Sequence, residues 1–375
     1  MAIPSHPVPS LANLAFQKLC ETTEETSKAY YQGRQVCSIS QHQLSKSFSL
    51  LERLKSIFFT PEHSPASIVA QRLSSNILLQ YQHPLSYRIL CEVDKKSPSA
   101  STHEAWQKLF QQRWPKISLP QYVSAKTSYL IHDFLDAFVF CGDDFRKIAK
   151  DKIALFVENA DTLDGIELDS FHPEITDELL LSMASFMPNM KTLIYKGLCK
   201  ATSKGICSVV AQAPQLEHLS CGSTIITRAL IRQMAQKCQH LKTLELPLLN
   251  DDVSLEDLFR LISANPYIES LSLSGAQDLT NENLIKIIKM LPCLKILHIS
   301  RSPYITGEIF DLIFTERGLE KLSFSYCPKI CDATISDSKE YYSLNELRLS
   351  DSLISEIGFQ RLKDKFPYIK LMHIH

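Results

Sequence analysis

The groups in this chain best equipped for chemistry are thiols, imidazoles and paired carboxylates, and each lacks a chemical complement nearby. Eleven cysteines are scattered from Cys20 to Cys331. The nearest pair, Cys327 and Cys331, has three residues between its members. No second close Cys or His pair completes a tetrahedral zinc set with it. Such scatter fits the reduced, buried thiols of a cytosolic chain better than a disulfide framework. Cys199 and Cys207, on either side of a predicted helix start, read as small hydrophobes. His373 and His375 alternate along the last predicted strand and so share a face with each other and with His298, three strands away. At about 4.8 Å per strand that separation is roughly 14 Å, too far to share one ion. Asp133 and Asp136 would share a helix face, and Asp143–Asp144 reads as a turn or helix cap. Neither pair stands beside a histidine or a nucleophile. The chain has no Gly-rich phosphate loop, G-x-S-x-G elbow, H-E-x-x-H helix or calcium loop. These absences predict a chain that binds rather than catalyses, with no cofactor and no metal.

Charge narrows the partner. The net charge is −1, so neither a nucleic acid nor an anionic membrane is strongly attracted. Basic residues are interspersed with acidic ones, which predicts no nucleic-acid groove. Residues 1–150 carry 17 Lys+Arg against 12 Asp+Glu and the remainder 23 against 29, so two regions with different surfaces are expected. The start, Met1-Ala-Ile-Pro-Ser-His-Pro, has no basic or apolar leader pattern, and no window of about 20 apolar residues occurs. The expected location is the cytoplasm.

The elements that position these residues come from a repeat. A Leu-x-x-Leu-x-Leu-like core recurs at Leu163/Ile166/Leu168, Met190/Leu193/Tyr195, Leu216/Leu219/Cys221, Leu241/Leu244/Leu246 and Ile268/Leu271/Leu273. It continues at Leu294/Leu297/Ile299, Leu319/Leu322/Phe324, Leu344/Leu347/Leu349 and Ile369/Met372/Ile374, with steps of 25 to 27 residues. Each core is followed by a β-branched residue or Leu and then Thr or Ser, as in Ile175-Thr176, Ile226-Thr227, Val253-Ser254, Leu279-Thr280, Ile305-Thr306 and Ile354-Ser355. That hydroxyl predicts a helix N-cap. An amphipathic stretch follows, such as Leu284, Ile287, Ile288 and Leu291, and it often stops near a proline: Pro188, Pro214, Pro266, Pro292 or Pro367. One strand-plus-helix unit cannot bury its own apolar face, so the pattern predicts an α/β solenoid over residues 161–375. Eight or nine units would stack with a parallel β-sheet on the concave face and helices outside.

The unit Leu319-Glu-Lys-Leu-Ser-Phe-Ser-Tyr-Cys-Pro-Lys-Ile-Cys-Asp resembles the cysteine-containing and ribonuclease-inhibitor-like leucine-rich repeats of F-box/LRR proteins. Other copies depart from it, with Phe171, Leu198, Thr224, Leu249, Ala276, Ser302 or Ser352 where this unit has Cys327. The resemblance covers roughly residues 160–375. It implies a protein partner, and in one version a substrate receptor of an F-box-type ubiquitin ligase.

Residues 1–141 hold one glycine, Gly33, and apolar residues at helical spacing, including Leu11, Leu14 and Leu19, Leu44 to Phe58, Ile68 to Tyr81, and Leu130, Phe134, Ala137 and Phe138. An all-helical N-terminal region is predicted, with residues 142–160 as the helix that caps the first repeat. Within it, residues 84–115 are similar to a degenerate F-box. Pro84-Leu85 would open it and His103-Glu-Ala-Trp106-Gln-Lys-Leu109-Phe-Gln-Gln-Arg-Trp114 would be its tail. The resemblance makes Trp106, Leu109 and Trp114 candidate contacts for a Skp-type adaptor. The other reading places Trp106, Leu109, Phe110 and Trp114 in a bundle core, where aromatics at helical spacing usually face.

On the repeats, the residues flanking the last Leu of each strand point to the concave face. The candidate partner-binding set is Glu167, Asp169, Lys196, Glu245, Ser272, Ser274, His298, Ser300, Ser323, Ser325, Arg348, Ser350 and His373. The serines would form a small-residue floor that a partner could approach closely. Two further readings stay open. One is a bacterial effector acting in a host cytosol. The other is a cysteine-dependent ligase in the helical region, for which Cys20, Cys37, Cys91 and Cys141 are the candidate thiols.

Overall fold

The computed structural model describes residues 90–91, 93–94, 100–140, 159, 162–168, 175–185, 187, 189–195, 200–313, 318–334, 344–365 and 369–374. The helices expected before residue 90 and the capping helix expected at 142–160 lie outside these residues, apart from Asn159. The chain divides into two compact units, one ending the N-terminal part at Glu167 and the other carrying the repeats.

In the first unit, α1 (Ala100–Arg113) packs against α2 (Ala125–Phe140). Their apolar faces meet through Trp106 and Phe110 on one side and Tyr129, Leu130 and Phe134 on the other, all buried. The Trp106 and Tyr129 rings lie 5.5 Å apart and tilted, a favoured aromatic arrangement. The pair is closed at its end by Arg113, which meets the buried Asp133 at 2.6 Å and donates to the Tyr129 hydroxyl at 3.1 Å. Lys126, also buried, pairs with Asp94 at 2.9 Å.

The repeats alternate strands and helices in the order β1 (Gly165–Leu168), α3 (Asp177–Ser185), β2 (Thr192–Tyr195), α4 (Ser203–Gln212), β3 (His218–Cys221), β4 (Ile225–Ile226), α5 (Arg228–Lys237), β5 (Thr243–Leu246), β6 (Leu248–Leu249), α6 (Leu255–Ala264), β7 (Ser270–Ser274), α7 (Asn281–Met290), β8 (Ile296–Ser300), α8 (Ile309–Ile313), β9 (Lys321–Ser325), β10 (Glu346–Ser350), α9 (Glu356–Lys365) and β11 (Lys370–Ile374). Nine of these strands form one sheet in chain order, β1-β2-β3-β5-β7-β8-β9-β10-β11, while β4 and β6 pair separately. All recorded pairings from β2 onward are parallel, as a strand–helix–strand path requires.

The register carries the stack. Leu193, Leu219, Leu244, Leu271, Leu297, Leu322 and Leu347 stand side by side on successive strands. None of the seven is more than 1% exposed. A second row, Leu246, Leu273, Ile299, Phe324 and Leu349, runs beside it and is fully buried. Full burial of each such side chain contributes about 1.5–3 kcal/mol. The helices add Ile206, Val209, Leu230, Ile231, Leu258, Leu261, Leu284 and Ile287 to the same core, and α4 to α8 pack in sequence, each against the next. Helices α4, α6 and α7 end two residues before Pro214, Pro266 and Pro292. That is where the ring of a following proline disfavours further helix. Between β9 and β10 only a single 3-10 turn, Asp332–Thr334, is described.

At the strand entries a feature unpredicted from the sequence appears. Lys191, Glu217, Lys242, Glu269, Lys295 and Glu320 occupy equivalent positions, and each backbone N–H after the first donates to the carbonyl before it. The side chains alternate in sign and pair at 3.0 Å (Lys191–Glu217), 2.5 Å (Lys242–Glu217) and 2.7 Å (Lys295–Glu269). The hydrogen bond from Lys242 holds the Glu217 carboxyl below its ordinary range; burial opposes it and Lys191 assists. Such exposed pairs contribute only tenths of a kcal/mol each, but they oppose any slip of one strand past the next.

Ser254 caps α6 through a capping box: its side chain accepts from the Asp257 N–H, and Asp257 accepts in return. The buried Asp257 also accepts from Arg228 Nε at 2.7 Å and Arg232 Nε at 3.0 Å, both on α5. Burial opposes ionisation there, yet the hydrogen bonds from Ser254, Arg232 and Arg228 outweigh it, so the carboxyl stays far below its usual range. A depressed folded-state pKa stabilises above the unfolded carboxylate range, near 4, and that contribution is lost as pH falls toward the folded value. Asp257→Asn is therefore expected to cost about 1.5 kcal/mol at pH 7. The gap to the parent chain should narrow steadily between pH 5 and about pH 2 in urea denaturation. A gap independent of pH would contradict the assignment.

Candidate interaction face

Alternation along a strand sends one set of side chains into the core and the other outward. The outward row that the register assembles is Ser220, Glu245, Ser272, His298, Ser323 and Arg348, one residue from each of six neighbouring strands. Ser220 is buried and donates to Glu245 Oε2 at 2.5 Å, which orients that carboxylate. Ser272, His298 and Ser323 are half-buried, and Arg348 is exposed with a 3.2 Å contact to Glu346. His298 lies within electrostatic reach of Glu245 and Arg348, the two charged members of the row flanking it. Burial pulls its pKa below the ordinary imidazole range, Arg348 acts in the same direction, and Glu245 opposes them. At neutral pH the row thus presents an anion, a neutral imidazole and a cation, separated by serines. Ser323 Oγ is enclosed and makes no hydrogen bond among the described residues.

The second serine row is in register too, with Ser274, Ser300, Ser325 and Ser350 on adjacent strands. It is not the open floor expected from alternation. Ser274 and Ser300 are buried, at 8% exposure each, and Ser325 and Ser350 are half-buried. The chain turns immediately after each of them through a residue with positive φ: Gly275, Arg301, Tyr326 and Asp351. The N–H groups of Gly275, Arg301 and Tyr326 donate to the carbonyls of Ser300, Ser325 and Ser350 on the neighbouring strands.

The remaining candidates separate. Asp169 and Lys196 lie outside the described residues. The Glu167 carboxylate is occupied within the first unit, accepting the backbone N–H groups of Gln121 and Tyr122 at 2.7 to 3.0 Å. His373 stands one position away from its expected row. β11 pairs Leu371 with Leu347 and Met372 with Arg348, so His373 falls opposite the core residue Leu349 and Met372 takes the outward position. The last step between strands is thus one residue shorter than the 25 counted from the sequence, and a slip of one residue exchanges the two faces.

Among the adaptor candidates, Trp106 is 1% exposed in the α1/α2 core and presents nothing to a partner. Trp114 is half-buried, its indole N–H donating to Asp136 at 3.0 Å and its ring packed against Phe110, Tyr129 and His132. Leu109 is half-buried and keeps an accessible edge. Of the candidate thiols, Cys91 is buried, and Cys20, Cys37 and Cys141 lie outside the described residues. In the repeats, burial pushes the Cys238 thiol up to about 12 and raises those of Cys207 and Cys327. Thiols so raised are poor nucleophiles and poor metal ligands at neutral pH. Among the described residues no helix is long and apolar enough to cross a membrane.

No family model matches the chain. A protein of Arabidopsis thaliana described as putative F-box/LRR-repeat protein 23 is 26% identical over 162 residues, covering 42% of this chain. The chain spans only 35% of that relative's length. Solved structures with similarity include the yeast Rad7–Elc1 complex, at 16% identity and a TM-score of 0.41 over 98% of this chain and 86% of that one. A leucine-rich-repeat protein of Leptospira interrogans, at 15% identity and a TM-score of 0.32, covers 58% of this chain and 56% of its own. The assignment rests on the register itself: parallel strands joined in chain order, a leucine at the same rung of seven neighbours, and hydroxyl-capped helices between them give this chain the leucine-rich-repeat fold.

Proposed function

We propose that this chain is a non-catalytic recognition subunit of the cytosol. Its repeats bind a target protein on the outward row of the sheet, and the helical unit joins a Skp-type adaptor, so that the target is presented to a ubiquitin ligase. The observation that carries the reading is the row Glu245, Ser272, His298, Ser323 and Arg348, where charged and hydrogen-bonding groups on a rigid sheet are spaced by residues small enough to admit a partner's side chains. Rigid positioning lowers the ordering cost of binding. The kinship to a putative F-box/LRR-repeat protein supports the adaptor half.

The two halves are tested separately. Purified full-length chain should co-elute with a Skp-type adaptor, and Leu109→Glu, at an accessible edge of α1, should weaken that complex at least about tenfold by titration calorimetry. No complex with the parent chain removes the adaptor half. For the sheet, proximity labelling in a native cytosol should lose specific neighbours when Ser272 and Ser323 are both replaced by arginine. An unchanged set of neighbours removes the outward row as the binding surface.

A further inference from the structure

At the strand exits, one rung of the stack is hollow. β6 places Leu248 and Leu249 after β5, whereas the equivalent positions after β7 hold Gly275 and Ala276, the two smallest residues available. A cavity of about 250 Å³ lies there, lined by the β6 end, the turn after β7 and the first turn of α6. Its floor is apolar, formed by Leu249, Leu258 and Ala276, all buried, with Val253 and Leu255 half-buried at the side. Its mouth is acidic. Asp251 and Asp278, equivalent residues of consecutive rungs, both line it and are exposed, and neither takes part in a hydrogen bond or ion pair among the described residues. One rung further on, Tyr304 stands where Asp278 stands here, so the mouth is acidic only at the hollow rung.

We propose that this cavity seats a leucine- or methionine-sized side chain from a partner segment that carries a lysine or arginine beside it. The apolar floor excludes a buried ammonium, because an unpaired charge there would be desolvated without compensation. The cation therefore sits at the rim, where two unpaired carboxylates receive it, and the neighbouring apolar side chain enters. Charge complementarity selects a basic segment over an acidic one. The site rests on the reading of the repeats as protein-binding but uses an edge separate from the outward row.

The test uses the full chain with labelled Leu and Val methyl groups and three capped pentapeptides, Ala-Lys-Leu-Lys-Ala, Ala-Glu-Leu-Glu-Ala and Ala-Lys-Ser-Lys-Ala. The first should shift the methyl resonances of Val253, Leu255 and Leu258 in a saturable manner, and the other two should not. Asp251→Asn combined with Asp278→Asn, both at exposed positions, should weaken the first peptide at least about fivefold, and added salt should weaken it in the parent chain. Unmoved methyls, equal shifts with all three peptides, or undiminished binding by the double variant would each overturn the proposal. Target capture by the sheet is read at Ser272 and Ser323, so the two surfaces fail independently.

Discussion

Replacing Leu271 with alanine is expected to lower the unfolding free energy by about 3–4 kcal/mol, the cost of deleting a large core side chain whose surroundings cannot collapse. Leu271 is 1% exposed and stands between Leu244 and Leu297 on the neighbouring strands. Both neighbours are fixed by their own backbone ladders, so neither can move into the void without breaking strand pairing. In a stack where each rung contacts only the next, the loss is shared by two interfaces, β5–β7 and β7–β8. Hydrogen exchange should therefore quicken most in β5, β7 and β8 and least in β2, and urea denaturation should show the shift in midpoint. Ser272→Ala, one residue along on the opposite face, supplies the control, with an expected change within about 0.5 kcal/mol. Equal costs at 271 and 272 would mean that the leucine row is not the spine of the stack.

The spine was legible because its two signals are local and agree. Leucines two apart give strand alternation, and a step of 25 to 27 residues leaves room for one helix before the next strand. The outward row followed from the same alternation, which is why Glu245, Ser272, His298, Ser323 and Arg348 meet on one face. Alternation alone, however, does not say where a strand stops. Ser274 and Ser300 obey the period yet are buried, at the strand ends where the chain turns through Gly275 and Arg301. In β11, Leu371-Met372-His373-Ile374 offers apolar residues at adjacent positions, so two registers satisfy the pattern, and pairing with β10 selects the one that the count of 25 missed. Trp106 illustrates a different limit: a motif resemblance and a bundle core call for the same aromatic spacing, and only packing against Tyr129 distinguishes them. The Lys–Glu ladder was open to a reader who aligned the residue before each strand, since Lys191, Glu217, Lys242, Glu269, Lys295 and Glu320 alternate in sign. The cavity was not, because its lining comes from two separate stretches, Leu249 to Leu258 and Gly275 to Asp278, that only the fold brings together.

Gly358→Ala tests how neighbouring rungs are tied at their helix starts, and its sign is the opposite of the usual one. Within a helix, alanine in place of glycine ordinarily stabilises by about 0.5–1 kcal/mol. Gly358 belongs to the first turn of α9 and has no special φ to protect, so propensity alone favours alanine. The obstacle is Asp332, one rung earlier. Its carboxylate accepts the Ser355 backbone N–H at 2.9 Å and the Ser355 hydroxyl, while Ser355 Oγ in turn accepts the Gly358 N–H. A β-carbon at 358 would meet Asp332 Oδ1 and stand 2.7 Å from its Cγ, so the carboxylate must leave Ser355. Losing that charged pair of hydrogen bonds outweighs the gain in propensity, for an expected net destabilisation of about 2 kcal/mol. The hydrogen bonds to Ser355 hold the Asp332 carboxyl below its usual range, so the penalty should shrink as pH falls through the carboxylate range and that stabilisation disappears from the parent chain. Asp332→Ala alone should cost a similar amount, but adding Gly358→Ala to it should then cost no more than about 0.5 kcal/mol, because the carboxylate is gone, the propensity gain remains, and only the buried Ile354 Cγ2, 3.1 Å from the added carbon, still has to give way. Asp177, Thr202 and Gly205 repeat the arrangement at α4, with the Thr202 N–H and hydroxyl donating to Asp177 at 2.6 and 2.7 Å and a β-carbon at 205 standing 2.8 Å from the Asp177 Cγ. At that site the Asp177 Cα also lies 2.9 Å from the added carbon, so removing the carboxylate would relieve Gly205→Ala only in part. The contrast between the larger recovery at 358, where a 3.1 Å side-chain contact remains, and the smaller one at 205, where a 2.9 Å backbone contact remains, separates loss of the carboxylate tie from general crowding, and additive penalties at 332 and 358 would refute the tie.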